Sequence, residues 1–203
     1  MNDLATDLPQ LDRGYHSTRT VISSAFEQRL FSELESLGFV VAVNGTEHTH
    51  PDFVGALHRS TDQTSLAIRF QPDAVAYIGS TPRSMYVEAK AAKNIEKTAY
   101  EQYMKLHAAG NFVAVVFEKL GWRWNFVEDI VLIDGRVTVG NFPPRNRFPV
   151  SDDGWIYPRK STRWHDIKWQ NLQASGTPYR EIDQQSLLDW QQFKSETIKK
   201  LAT

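Results

Sequence analysis

The sequence predicts an α/β layered core, and three observations carry that prediction. Helical and strand-like stretches follow one another as helix, strands, helix, strand over residues 18–117. Residues 112–117, Phe-Val-Ala-Val-Val-Phe, form a continuous apolar run of the kind a fully buried strand requires. Residues 70–78 and 85–90 are two β-like runs joined by the turn-rich segment Gly-Ser-Thr-Pro-Arg-Ser at 79–84. The expected architecture is a mixed central sheet flanked by helices, with a C-terminal β-rich and helical extension.

Each element has its own reason. Residues 1–17 form an expected arm. In the first helix, over 18–37, Ile22, Phe26, Leu30, Leu34 and Leu37 recur at three- and four-residue spacing, with Ser17 or Thr18 as cap and Gly38 as stop. Glu27 falls on the flank of that apolar stripe, and Glu33 lies nearer its middle. Residues 39–43 are expected as a strand. A polar loop follows with His48, His50 and Asp52, which is either a metal-holding run, if extended, or an ordinary loop beside a site. Residues 64–70 alternate as a strand. After Lys90 a second helical pattern runs through 109, with Ile95, Ala99, Tyr103 and Leu106 inward, Gln102 at the edge of that face and Gly110 as stop.

Beyond residue 117 the composition changes. Residues 122–127 are aromatic and alternating. Residues 131–139 carry a hairpin signal, with Asp134-Gly135 suited to a type I′ turn. The stretch 141–180 is rich in Pro, Gly, Arg and Trp, and six Lys/Arg face three Asp/Glu between Arg145 and Lys168. Arg145, Arg147, Arg159, Lys160, Arg163 and Lys168 are candidate phosphate contacts, and the tryptophans either stack on bases or pack on the sheet. A last helix near 184–200 turns Leu187, Leu188, Trp190 and Phe193 inward. The expected divisions are therefore an arm (1–17), a core (18–117) and an extension (118–203).

Bulk properties exclude several classes. The chain has 203 residues, 41% of them apolar, so it can bury a sizeable core and is globular. No apolar run is long enough to span a bilayer, and the acidic start lacks the basic and apolar regions of a signal peptide. An intracellular, cytoplasmic location with no membrane partner is expected. The absence of cysteine rules out disulfides and thiolate metal sites. Net charge is −1 but uneven: five Lys/Arg face ten Asp/Glu up to residue 80, and eighteen face fourteen thereafter. Nucleic-acid binding would need a local basic face, since the total supplies none. There is no internal repeat, Walker-type loop or dinucleotide fingerprint.

The charged residues of 70–90 carry the chemistry. Residues two apart in a strand share a face, so Glu88 and Lys90 point together, with Ala89 opposite. A hairpin of the two runs would carry Asp73 to the same end. Two carboxylates suit Mg²⁺, which takes one or two protein oxygens and completes its shell with waters and substrate phosphate. An adjacent lysine can orient an attacking water, and the whole would hydrolyse a phosphodiester. The bland alternative is a surface ion pair beside a turn aspartate.

In order and spacing these pieces resemble the PD-(D/E)xK nuclease superfamily over about residues 18–117. Pro72-Asp73 and Glu88-Ala89-Lys90 match its defining motif. Glu27 followed by Gly38-Phe39 looks like the opening of Holliday-junction-resolvase-like members. Gln102, Leu106 and the 113–116 run are similar to the core's tail in virus-type replication-repair nucleases. The glycine that often precedes Pro-Asp in that last group is Gln71 in this chain. The resemblance implies a restriction-endonuclease-like core and a Mg²⁺- or Mn²⁺-dependent deoxyribonuclease, an endonuclease acting on DNA. It favours Glu27 over Glu33 as a ligand reaching the metal directly or through water, and adds the Ala89 backbone carbonyl as a further ligand. By the same resemblance, Asp73 and Glu88 hold the metal, Lys90 assists the water, and Gln102 orients it or a phosphate. The alternatives are a structure-specific junction resolvase acting as a homodimer and a non-catalytic DNA-binding or interaction module on the same fold.

Overall fold

The computed structural model describes residues 13–44, 62–135, 150–156 and 178–203, with backbone alone over 13–24. The elements are α1 (Arg13–Ser36), β1 (Val40–Val43), α2 (Gln63–Arg69), β2 (Ala74–Tyr77), β3 (Ser84–Lys90), β4 (Asn94–Glu96), α3 (Lys97–Ala108), β5 (Phe112–Phe117), β6 (Arg123–Phe126), β7 (Tyr179–Glu181), β8 (Leu188–Asp189) and α4 (Phe193–Leu201). A six-stranded sheet runs in the order β1-β2-β3-β5-β6-β8. Only β3 and β5 are parallel; every other neighbouring pair is antiparallel. Helix α3 makes the crossover between the parallel strands. A small antiparallel pair, β4 and β7, stands apart. The architecture is the expected mixed α/β core, a mostly antiparallel central sheet flanked by helices.

Two apolar layers cover the sheet. On one face Phe26, Leu30 and Leu34 of α1 pack with Ala76, Met85, Val87, Ala89, Ala114 and Val116, and Trp124, Phe126, Phe193 and Leu201 complete the layer. On the other, Ile95, Ala99 and Tyr103 pack with Val113, Val115 and Phe117, joined by Val127, Ile130, Ile182 and Leu187. Residues after 117 thus build the same sheet and both cores. At the end of α1, Gly38 (φ +92°) lets its N–H donate to Glu35 O at 2.9 Å, while Phe39 N–H donates to Leu34 O at 3.0 Å. This six-to-one closure, sealed by the buried Leu34 and Phe39, aims the chain directly into β1. Gly110 (φ +87°) closes α3 in the same way.

Four expectations are corrected. Helix α1 begins at Arg13, so residues 13–17 are helical and Ser17 and Thr18 lie inside the helix. Residues 64–70 form helix α2, not a strand: Asp62 accepts the Ser65 N–H at 2.9 Å as N-cap, and no α2 residue is buried, so the alternation there records no sheet face. The second helix starts at Lys97; Asn94–Glu96 is drawn into pairing with β7. The last helix starts at Phe193. Leu187 and Leu188 face opposite cores, as strand residues do, and Leu188-Asp189 pairs with Arg123-Trp124. The Asp189–Gln192 capping box starts a 3₁₀ turn, Trp190–Gln192, that runs on into the helix.

Leu132 bridges Ile182, and the Gly135 N–H donates to Gly154 O at 2.8 Å. The rest of the expected 131–139 hairpin lies outside the described residues. A short strap, residues 150–156, crosses α3 on the second face: Ile156 bridges Tyr179, and buried Trp155 lies against Tyr100. No described helix is long and apolar enough to cross a membrane.

Candidate active site

The β2–β3 hairpin does what the two runs predict. Its register pairs Ala74 with Val87, which sets Asp73, one residue before the strand, opposite Glu88. The segment is pinned from the neighbouring strand end. Asn44 donates its N–H to Asp73 O at 2.8 Å and its side-chain amide to Pro72 O at 3.1 Å. The Asp73 side chain reaches across the hairpin, where Oδ2 accepts the Ala89 N–H at 2.7 Å. Glu88 and Lys90 share the α3 side of β3, and Ala89 enters the α1-side core. Lys90 Nζ lies 2.5 Å from Glu88 Oε1. Because β3 and β5 are parallel and Lys90 aligns with Phe117, the cluster sits at the C-terminal ends of both central strands. Ligands of α/β sheets are commonly bound there.

Burial sets the electrostatics. Asp73 and Glu88 are only 7% and 4% exposed. Burial pushes the Asp73 carboxyl well above the usual range, and the Glu88 charge adds to this; Lys90 and the Ala89 N–H pull the other way, and Glu27 adds a last upward push. For Lys90 burial favours the neutral amine, but the carboxylates of Glu88 and Asp73 outweigh it and hold the lysine protonated above its ordinary range. The site is therefore a buried, acid-rich cluster with one ammonium clamped inside it.

The structure separates the two helix acids: Glu27 is 4% exposed and its charge acts on Asp73, whereas Glu33 is exposed. Gln102 is buried on α3 but bonds to none of the charged three; it lines a cavity beside them. Two further residues were read from the sequence only as packing and loop. Tyr103 lies beneath the cluster, with Lys90 Nζ 5.8 Å from its ring centroid. Burial first, and then Glu88 and Asp73, hold its phenol well above the usual range. Asn44 is the other, and an amide at a strand end just before a loop is its only sequence signal. Arg145, Arg147, Arg159, Lys160, Arg163 and Lys168 lie outside the described residues, as do His48, His50 and Asp52.

The donor set fits a hard divalent cation. Glu88 Oε2 is buried without a hydrogen-bond partner, an arrangement that costs about 1–3 kcal/mol unless something positive meets it. Asp73 Oδ2 is engaged by Ala89, which leaves the carboxylate fixed beside that oxygen. Among the described residues no group of three or more His, Cys, Asp or Glu side chains is placed to hold a metal alone. Two carboxylates completed by water and substrate phosphate is the Mg²⁺ pattern, so the count is compatible with that ion.

No protein-family model matches the chain, and no curated protein does. Several solved structures show a likeness. Hjc of Archaeoglobus fulgidus, a Holliday junction resolvase from an archaeal hyperthermophile, is 21% identical with a TM-score of 0.33, over 54% of this chain and 75% of that one. At that level the likeness carries no argument, and function is read from the site's own geometry.

Proposed function

We propose that this chain is a divalent-metal-dependent nuclease that hydrolyses DNA phosphodiester bonds, acting as an endonuclease. The observation that supports it is the buried Asp73–Glu88–Lys90 cluster at the ends of β3 and β5, with a partnerless Glu88 oxygen. Asp73 and Glu88 would hold Mg²⁺ or Mn²⁺, with the Ala89 carbonyl as neighbour and Glu27 reaching the ion through water. When bound, such an ion polarises the scissile phosphate and acidifies water. The protein's own part is positional. The Ala89 N–H and Asn44 fix Asp73, so the acid needs no reorganisation on binding. Glu88 holds Lys90 protonated, so the ammonium orients the attacking water and meets charge developing on the phosphate; it does not serve as a resting base. Arg145, Arg147, Arg159, Lys160, Arg163 and Lys168 supply the grip on the DNA backbone in this reading.

The test is cleavage of linear, nicked, single-stranded and four-way-junction DNA by purified protein with Mg²⁺ or Mn²⁺. Cutting that disappears in Asp73→Ala and Lys90→Ala is the expected result. An intact panel, or variants as active as the parent, overturns the proposal. Sizing the protein with and without junction DNA reveals whether a homodimer is the acting form.

A further inference from the structure

One cavity adjoins the cluster and is unused by the mechanism above. It measures about 330 Å³ and lies between α2 and α3, lined by Thr64, Ala67, Phe70, Tyr86, Gln102 and Leu106. Its walls are largely apolar and aromatic. Tyr86 precedes Glu88 by two residues on the same face of β3, so the cavity opens about 7 Å along the strand from the candidate metal ligand. Gln71, in its wall, immediately precedes Pro72-Asp73.

Gln102 makes this more than a crevice. The residue is largely enclosed by the cavity walls, while its carboxamide bonds to no described residue and stays accessible from the cavity side. A carboxamide carries two donors and an acceptor, and Gln102 lines a cavity of largely aromatic and aliphatic side chains. Cations stand at the rim. Lys105 lines the cavity and donates to Gln63 at 3.1 Å, and Arg69 stacks over Phe70 with Cζ 4.9 Å from the ring centroid. Apolar and aromatic walls, an amide able to pair with a base edge and positive charge close by together match a nucleobase on its phosphate strand.

We infer that this cavity receives one unstacked base of the DNA strand being cut, next to the scissile phosphate, with Gln102 reading its hydrogen-bonding edge. Gln102 is then a specificity-determining residue, and the pocket makes the nuclease choosy at one position. The inference rests on the proposed nuclease reading.

The test is cleavage of a DNA pool randomised in sequence, with the product ends sequenced, alongside Ca²⁺-supported binding of oligonucleotides carrying a single abasic site at successive positions. Wild type should enrich one base at least tenfold at one position near the cut, and an abasic site there should weaken binding by at least fivefold. Ala67→Trp, at an exposed wall position, fills the cavity; it should flatten the enrichment and abolish the abasic effect, with cleavage of the preferred sequence falling to the level of the others. Gln102→Glu exchanges the amide donors for acceptors and should change which base is enriched. Cleavage or binding without dependence on the base at any position overturns the pocket and leaves the nuclease reading standing. Failure to bind or cut any DNA overturns both.

Discussion

Asp73 and Ala89 are joined across the β2–β3 hairpin: the Asp73 Oδ2 accepts the Ala89 N–H at 2.7 Å, which fixes the carboxylate beside Glu88 on the strand it faces. The bond holds a buried negative charge next to another, and burial and Glu88 together raise the Asp73 pKa. Without a bound cation such an arrangement is a cost, which the metal ion of the proposed nuclease would offset.

Replacing the charge should therefore stabilise the metal-free protein. Asp73→Asn keeps an acceptor for Ala89 and removes the repulsion, so we expect a gain of about 1 kcal/mol in urea unfolding. Cleavage should fall a hundredfold or more. Because the folded pKa is raised, the contribution of Asp73 is complete below its ordinary pKa and is lost as pH rises through the folded value. The difference between variant and parent should accordingly widen with rising pH. A variant no more stable than its parent at neutral pH would contradict this account.

Divalent cation should raise the melting temperature of the parent protein. At a hundredfold excess over its Kd a site-bound ion adds about 2.7 kcal/mol, or some 5–10 °C for a chain of this size. Differential scanning fluorimetry with Mg²⁺ and Mn²⁺ reads this directly. The shift should be absent in Asp73→Asn; an equal shift there would place the ion elsewhere.

Glu88 and Lys90 should behave as a unit. Lys90→Met leaves a buried carboxylate without its ammonium, and we expect a loss of about 2–3 kcal/mol; the lysine's partial exposure keeps this below the full cost of a buried pair. Glu88→Gln in the same chain should recover part of that loss. A double-mutant cycle with coupling under about 0.5 kcal/mol would mean the pair is only adjacent.

The strap over α3 should loosen in acid. Asp153 accepts from Lys97 Nζ at 2.8 Å and from Ser151, and these bonds lower its pKa to about 2. Its contribution is full above the ordinary aspartate value and is lost as pH falls from about 4 towards 2. Trp155 lies between Lys97 Nζ (5.8 Å) and the Arg180 guanidinium (5.4 Å), and its fluorescence should report the change. Asp153→Asn should abolish that transition without altering cleavage.

Period-two alternation made Glu88 and Lys90 legible from the sequence, because a strand leaves neighbouring side chains no choice of face. The hairpin then delivered Asp73, since its turn residues admit little else. Periodicity left Glu27 and Glu33 as rivals, and only packing separates them: Phe26 and Leu30 bring Glu27 in, while Glu33 rides outside. Leu188-Asp189 was not legible as a strand. Two residues carry no period, and pairing with Arg123-Trp124 is a contact over more than sixty positions. Tyr103 read as an ordinary core residue because nothing in its neighbours reveals that a charged cluster lies above it.

Phe193 and Leu201 close the same apolar layer as Phe26 and Leu30, the residues that seat Glu27. A ribosome delivers the hairpin acids early and that closing helix last. The nascent chain thus holds its acids before it has the floor that brings Glu27 up to them. A chain broken off before residue 193 would be expected to misplace that glutamate while keeping the intact motif, and so to be inert towards the nucleic acid around it.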